Sequence, residues 1–438
     1  MLTIRRTTPL DMSAEDACLG PAPWIVDSPP GPSAAAVIAR DRHACAASVA
    51  RLHPLVVRRA RGAVIEDVDG NRFLDFASGL AGHCLPRVTA AIRCQAENMI
   101  QESNGFCYSP TEIGLAEKLA QIVPGDAPRR VLLVPDGTEG LALAQSASRR
   151  HSGRPWVVVF SGELSGDTEG ASRDGALLSG ISSGETGSHV GVVTADYGDA
   201  DSVGRALGEH GLTLSEVAAV IVEPLRIEGE FVMPAPEFLP QLRELCTRHG
   251  ILLVVDETHI GPGQTGRLFC TAGSGIGPDI VCVDIGRTSG MPLAAVIVRG
   301  DLPDVMEAAS SFAPVHPVNC AAGMVVIELV EKSLADHVAD LNGIAVQKLG
   351  AIASRRRCID RVRGLGLLLC VDVVRNRRTH EPHPRLRDRI VEEAFQRGVV
   401  LLPCGASSIR IRPALCINRI QLEVGLDVVD EAIATVQD

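Results

Sequence analysis

Lysine is almost missing from this chain. In 438 residues only Lys118, Lys332 and Lys348 occur, each among charged or small residues in a stretch with helical periodicity (GLAEKLAQ, VEKSLADH, AVQKLGAI), which is the setting of an exposed helix lysine. None has the desolvated surroundings that a Schiff-base lysine requires. Long apolar runs are absent too: nothing approaches the ~18–20 residues of a membrane span. The N-terminus, MLTIRRTTPLDMSAEDACLG, carries acids and no continuous apolar core, so it does not read as a signal peptide, and a cytoplasmic protein is expected. A net charge of −11 argues against nucleic acid as a partner, because phosphate binding needs concentrated Lys and Arg. The 13 cysteines are scattered singly, without a C-x-x-C pair or a His/Cys spacing suited to zinc, so reduced thiols and no metal are expected.

What is present is an apolar, glycine-rich chain, 46% hydrophobic with 43 glycines and a mean hydropathy of +0.17, the composition of a soluble α/β enzyme fold. Its length allows two or more domains with sizeable cores. The central stretch ILLVVDETHIGPGQTGRLFCTAGSGIGPDIVCVDIGRTSGMP opens with a five-residue β-branched run, Ile251–Val255, that reads as a buried parallel strand. Asp256 and Glu257 close it. Ligands in open α/β sheets sit at carboxyl ends of strands, so a carboxylate there is a ligand contact or a loop cap. A second strand, Ile280–Val283, ends in Asp284-Ile285-Gly286, and Gly290-Met291-Pro292 turns the chain into a third, Leu293–Val298.

Before this stretch, a Pro/Ala/Ser-rich segment leads into Leu55–Asp75, whose alternation around Asp69-Gly70 predicts a hairpin. Strand Val131–Val134 runs into Pro135-Asp136-Gly137-Thr138-Glu139-Gly140 and a small-residue helix, a ready anion site; the same turn also reads as an ordinary helix capped by Asp136. Strand Ala218–Val222 ends in Glu223, and helix Glu237–Arg248 carries Leu239, Leu242 and Leu245 on one face with Gly250 as its cap. His259 lies three residues beyond Asp256, within reach of an Asp–His pair able to act as a base near neutral pH. A metal site from Asp256, Glu257 and His259 has no recognised ligand spacing. Beyond residue 305 a long helical segment, strands near 366–374 and 399–411 and a closing helix predict a smaller α+β domain.

The order of these pieces resembles the class III pyridoxal-phosphate aminotransferases, nearest the 4-aminobutyrate and dialkylglycine-decarboxylase branch. The resemblance implies fold type I of the pyridoxal-phosphate transferases: an N-terminal arm (1–60), a large domain with a mainly parallel seven-stranded sheet (61–305), a small C-terminal domain (306–438), and a homodimer. It implies that Asp256 pairs with the cofactor's pyridine nitrogen, that Gly137 and Thr138 hold its phosphate, and that Glu223 forms a switchable ion pair with Arg410, which binds a substrate carboxylate. It also sets Ile285 where the family has its Schiff-base lysine. Asp136 stands for a neutral Ser, Leu164 for the ring-stacking aromatic, Ser165 for a His, Thr258-His259 for Val-Gln, and Phe312 for a phosphate-binding Thr.

These departures fall together on cofactor contacts while Asp256, Glu223 and Arg410 remain. Transamination needs the lysine both to hold the cofactor and to shuttle a proton, and isoleucine does neither. The first expectation is therefore an enzyme with no cofactor, acting on a small carboxylate-bearing substrate, with Arg410 as anchor and Asp256, His259 or Glu223 as acid and base. A non-catalytic scaffold or regulatory subunit is the second. The third is a protein that binds pyridoxal phosphate or pyridoxamine phosphate non-covalently.

Overall fold

A computed structural model describes residues 19–46, 51–101, 107–162, 191–227, 229, 231–302 and 315–437. The chain divides into two compact units: residues 1–89, 263–268 and 326–438 form one, residues 90–262 and 269–325 the other. Among the described residues no helix is long and apolar enough to cross a membrane.

The second unit is built on a seven-stranded sheet. Its strands are β1 (Arg129–Val134), β2 (Trp156–Phe160), β3 (Gly191–Ala195), β4 (Val217–Val222), β5 (Leu252–Glu257), β6 (Ile280–Asp284) and β7 (Ala294–Arg299), in the order β1-β7-β6-β5-β4-β2-β3. The five strands from β6 to β3 are parallel, and β7 runs antiparallel to both of its neighbours. Both faces are covered, as the continuous Val/Ile runs require. Leu252 and Val254 enter the core on one face with Leu141, Ala144 and Ala147 of helix Gly137–Ser152. Leu253 and Val255 enter the other with Phe238, Leu239 and Leu242, and Leu245 packs against the same cluster from helix Phe238–His249. That helix ends at Gly250 in the left-handed conformation (φ 61°), where a side chain would be strained.

This alternation decides where the strand-end acids go. Side chains along a strand point to opposite faces in turn. Asp256 continues the Leu252 and Val254 row, toward helix Gly137–Ser152, and Glu257 continues the other. Val222 is paired with Val255 and Asp256 with Cys282, so Glu223, Asp256 and Cys282 lie side by side on one face. Asp284 has the parity of Cys282 and joins them.

In the first unit the expected hairpin is a three-stranded meander, Val57–Arg61, Val64–Asp67 and Arg72–Asp75. Val64 faces Leu74 across its tight turn, where Gly70 has φ 90°. Strand Val399–Val400 adds in parallel to Arg72–Asp75, which ties this N-terminal meander to the C-terminal residues. A second sheet joins Ile359–Leu365, Leu368–Asn376, Ser408–Ile411 and Leu402–Cys404, with the short strand Glu381–Pro382 beside Leu368–Asn376. The long helical segment expected beyond residue 305 is present as Pro317–Leu329 and Ala335–Arg355, joined through one wider π turn, Val330–Leu334.

Candidate active site at the carboxyl ends of the central strands

The site lies where β4, β5 and β6 end. Glu223, Asp256 and Glu257 are each 1% exposed, although all three are charged residues at the ends of apolar runs. Glu257 is fully employed: Oε2 accepts from the Cys270 N–H (2.8 Å), and Oε1 accepts from the Thr271 N–H (2.9 Å) and hydroxyl (2.5 Å). It anchors the loop after β5 and takes no part in the cluster on the opposite face.

Asp256 is employed on one side only. Its Oδ1 accepts from the Thr258 N–H (2.8 Å) and hydroxyl (2.6 Å), whereas the buried Oδ2 has no hydrogen-bond partner among the described residues. Thr258 is itself wedged against the start of helix Gly137–Ser152: a methyl added to Gly137 would lie 2.5 Å from the Thr258 Cβ. No side chain other than hydrogen fits there, so Gly137 brings the helix N-terminus up to the strand ends.

Glu223, Asp256 and His259 converge, each offering an oxygen or nitrogen within 4.8 Å of the others. These are the three residues that sequence reasoning named as acid and base. His259 has the Arg287 Nη2 3.3 Å from its Nδ1. The same guanidinium donates from Nε to the Thr258 carbonyl (3.2 Å) and lies 3.6 Å from the Asp284 carboxylate. Arg287 and Cys282 escaped sequence reasoning, and Asp284 was named there as a strand end without a part in the site. Pairing Asp256 with Cys282 across neighbouring strands puts Cys282 and, two residues on, Asp284 on its face.

Burial dominates the electrostatics. It pushes the Asp256 carboxyl above the usual range against the pull of His259, the Thr258 hydrogen bonds and Arg287. Burial raises Glu257 despite its three hydrogen bonds, with Asp256 adding to the rise, and raises Asp284, which Arg287 partly offsets. The Cys282 thiol is pushed up by burial and by Asp256 and donates to the Gly140 carbonyl (3.8 Å); it stays protonated at neutral pH.

The remaining expected positions are distributed as follows. Asp136 caps helix Gly137–Ser152, its Oδ1 accepting from the Glu139 N–H (2.9 Å), so the ordinary-cap reading describes it. Gly137 is buried and Thr138 exposed at that helix start. Ile285 is fully buried; a methyl on Gly323 would lie 3.3 Å from its Cγ2, so its side chain faces helix Pro317–Leu329. Of the lysines, Lys348 is paired with Asp427 (2.8 Å) and Lys332 with Glu328 (3.2 Å), and Lys118 is half-buried on helix Pro110–Ile122. Arg410 sits on strand Ser408–Ile411 of the other unit, paired in register with Cys370 and Leu402. Leu164, Ser165 and Phe312 lie outside the described residues.

Comparison with known proteins sets this site in a family. The chain is 30% identical over 441 residues to an alanine/serine racemase of Pyrococcus horikoshii, covering 94% of this chain and 92% of that protein. It is equally similar, at 30% over 442 residues, to a 4-aminobutyrate aminotransferase of Mycobacterium tuberculosis, covering 94% and 98%. Among solved structures, a transaminase from the marine bacterium Virgibacillus superposes with a TM-score of 0.79 at 22% identity over 92% of this chain and 99% of that one. The ornithine aminotransferase of Toxoplasma gondii, with partial occupancy of pyridoxal phosphate at its active site, gives 0.77 at 24% identity over 92% and 95%. These matches confirm the fold expected from the sequence, and they correct one expectation: members of the family are pyridoxal-phosphate-dependent, so a cofactor is expected here, not none. Residues 45–433 match the class III aminotransferase family, and the chain belongs to it.

Proposed function

We propose that this class III aminotransferase-fold protein holds pyridoxal phosphate or pyridoxamine phosphate without a covalent link, and that ordinary lysine-dependent transamination is not its reaction. The observation that carries this reading is the Asp256 Oδ2, a buried carboxylate oxygen at a strand end with no hydrogen-bond partner among the described residues. A protonated ring nitrogen would satisfy both its charge and its hydrogen bond. The amides at the start of helix Gly137–Ser152 would serve the phosphate, with Asp136 already holding one of them and adding a like charge nearby. When bound, the cofactor supplies an electron sink for a carbanion beside the substrate nitrogen.

The chain's own residues set what else happens. Ile285, aligned by resemblance with the lysine, offers no amine to link the cofactor or to move a proton. His259 and Glu223 stand with Asp256 and are the groups able to accept a proton from a bound substrate. Arg287 Nη2 lies 3.3 Å from the His259 Nδ1, on the ring that stands with the Glu223 and Asp256 carboxylates. Arg410 would bind the carboxylate of a small amino-acid-like substrate, for which a planar guanidinium is suited.

The test is reduction with borohydride in the presence of pyridoxal phosphate, followed by mass spectrometry of the purified chain. The reading expects no stoichiometric adduct on the wild type and one adduct per chain on Ile285→Lys. A stoichiometric adduct on Lys118, Lys332 or Lys348 of the wild type would sink it.

A further inference from the structure

We propose that the amino ends of the central strands hold a second binding site, for a small phosphate dianion, free or carried by an organic molecule. A cavity of about 560 Å³ opens there, lined among others by His151, Arg154, Arg243, Asp279 and Arg299, with the apolar Ile251 beside them. Its size admits an organic phosphate as well as the free ion. The place is remote from the acidic cluster: β5 enters at Leu252 and reaches Asp256 four residues later, about 13 Å along the strand.

Charge and unspent donors point to the ligand. In a chain of net charge −11, this cavity has three guanidiniums against one carboxylate in its lining. Asp279 is buried and fully employed: its Oδ1 accepts from the Arg299 Nη1 (2.5 Å), and its Oδ2 accepts from the Arg243 Nη1 (2.7 Å) and the Leu253 N–H (2.8 Å). Asp301 takes the Arg299 Nε (2.6 Å) from outside the lining. Helix Phe238–His249 ends at the cavity, and its last carbonyls would repel an anion. The Arg154 Nη1 covers them, donating to the carbonyls of His249 (3.2 Å), Gly250 (3.1 Å) and Val217 (3.0 Å). Once these bonds are made, the Arg154 Nε and Nη2, the Arg243 Nη2 and the Arg299 Nη2 have no hydrogen-bond partner among the described residues. The three residues come from separate elements: the turn before β2, helix Phe238–His249 and the end of β7. A phosphate offers three acceptor oxygens and can use all three guanidiniums, whereas a carboxylate offers two.

This inference does not rest on the cofactor reading. The helix start at Gly137 offers phosphate another place, so variants at the strand pole carry the test. The full chain, freed of B6 compounds, is titrated by calorimetry in low-salt buffer with phenyl phosphate and with inorganic phosphate. A saturable binding event is expected that is at least about ten-fold weaker in Arg243→Gln and in Arg299→Gln, and unchanged in Arg378→Gln, which removes an exposed arginine of the other unit. Tighter binding of phenyl phosphate assigns the site to monoesters, and tighter binding of inorganic phosphate assigns it to the free ion. No saturable binding of either probe, or no event weakened in the two arginine variants, overturns the proposal. Should those variants fail to fold for want of a partner to Asp279, His151→Glu decides. It sets a carboxylate at an exposed position of the lining, leaves the Asp279 bonds in place, and is expected to weaken the event by about five-fold or more; an affinity equal to wild type overturns the proposal.

Discussion

Asp256 and Glu257 are neighbours with equal burial and opposite roles, and the difference should appear in stability. Glu257→Gln and Asp256→Asn each remove one charge with almost no change in volume. In Glu257 two oxygens serve three donors, and an amide can keep only one of those oxygens while turning an NH2 toward a buried N–H. Losing a hydrogen bond to a charged group costs ~1.5–3 kcal/mol and stranding a buried donor ~1–3 kcal/mol, so Glu257→Gln should cost roughly 3–5 kcal/mol, a large part of the ~5–15 kcal/mol typical of a domain. Asp256→Asn keeps Thr258 on Oδ1 and removes a charge beside buried Glu223, so stability should hold or rise by on the order of 1 kcal/mol. The assay is urea unfolding by tryptophan fluorescence in a Trp24→Phe background. The chain has 2 tryptophans, and the other, Trp156, begins β2 and packs against the core of the sheet unit. A Glu257→Gln midpoint equal to wild type, or an Asp256→Asn midpoint below that of Glu257→Gln, would refute the assignment of the two acids to opposite faces.

Other outcomes follow from the same geometry. Asp136→Ala should lose the N-cap bond to Glu139 and about 1 kcal/mol, whereas Asp136→Ser should keep the cap, remove the like charge and tighten pyridoxamine phosphate binding in an absorption titration. Gly191→Ala would set a methyl 1.9 Å from the Trp156 ring; the indole must move, and both the emission maximum and the urea midpoint should shift. Because burial raises the Asp256 pKa above its unfolded value, the stability associated with this group is full below the ordinary carboxylate range and is lost as pH rises through the raised value. The stability difference between Asp256→Asn and wild type should therefore grow with pH over that window, and a difference independent of pH would contradict the raised pKa.

Much of the fold was legible because its signals are local. The short apolar runs at 218–222, 251–255 and 280–283 read as buried strands, and Asp69-Gly70 and Gly250 marked a turn and a helix end through backbone geometry that few residues adopt. The convergence of Glu223 with Asp256 was less visible: it depends on which strands are neighbours and in what register, which no single segment specifies. Strand parity, once β4 and β5 are adjacent, puts both acids on the helix side and sends Glu257 away. Arg287 was invisible for a related reason, since the short turn after β6 brings it back across Thr258 and His259. The expectation of no cofactor failed because it weighed substituted contacts such as Ile285 and Asp136 above the family membership carried by the whole chain.

The most direct test of the account is an absorption titration of the full wild-type chain with pyridoxamine phosphate, alongside Asp256→Asn. Truncating one partner of a buried charge pair costs ~2–5 kcal/mol, so the account predicts saturable one-to-one binding to the wild type that weakens by at least ~30-fold in the variant. No saturation of the wild type, or equal affinity in the variant, would contradict it.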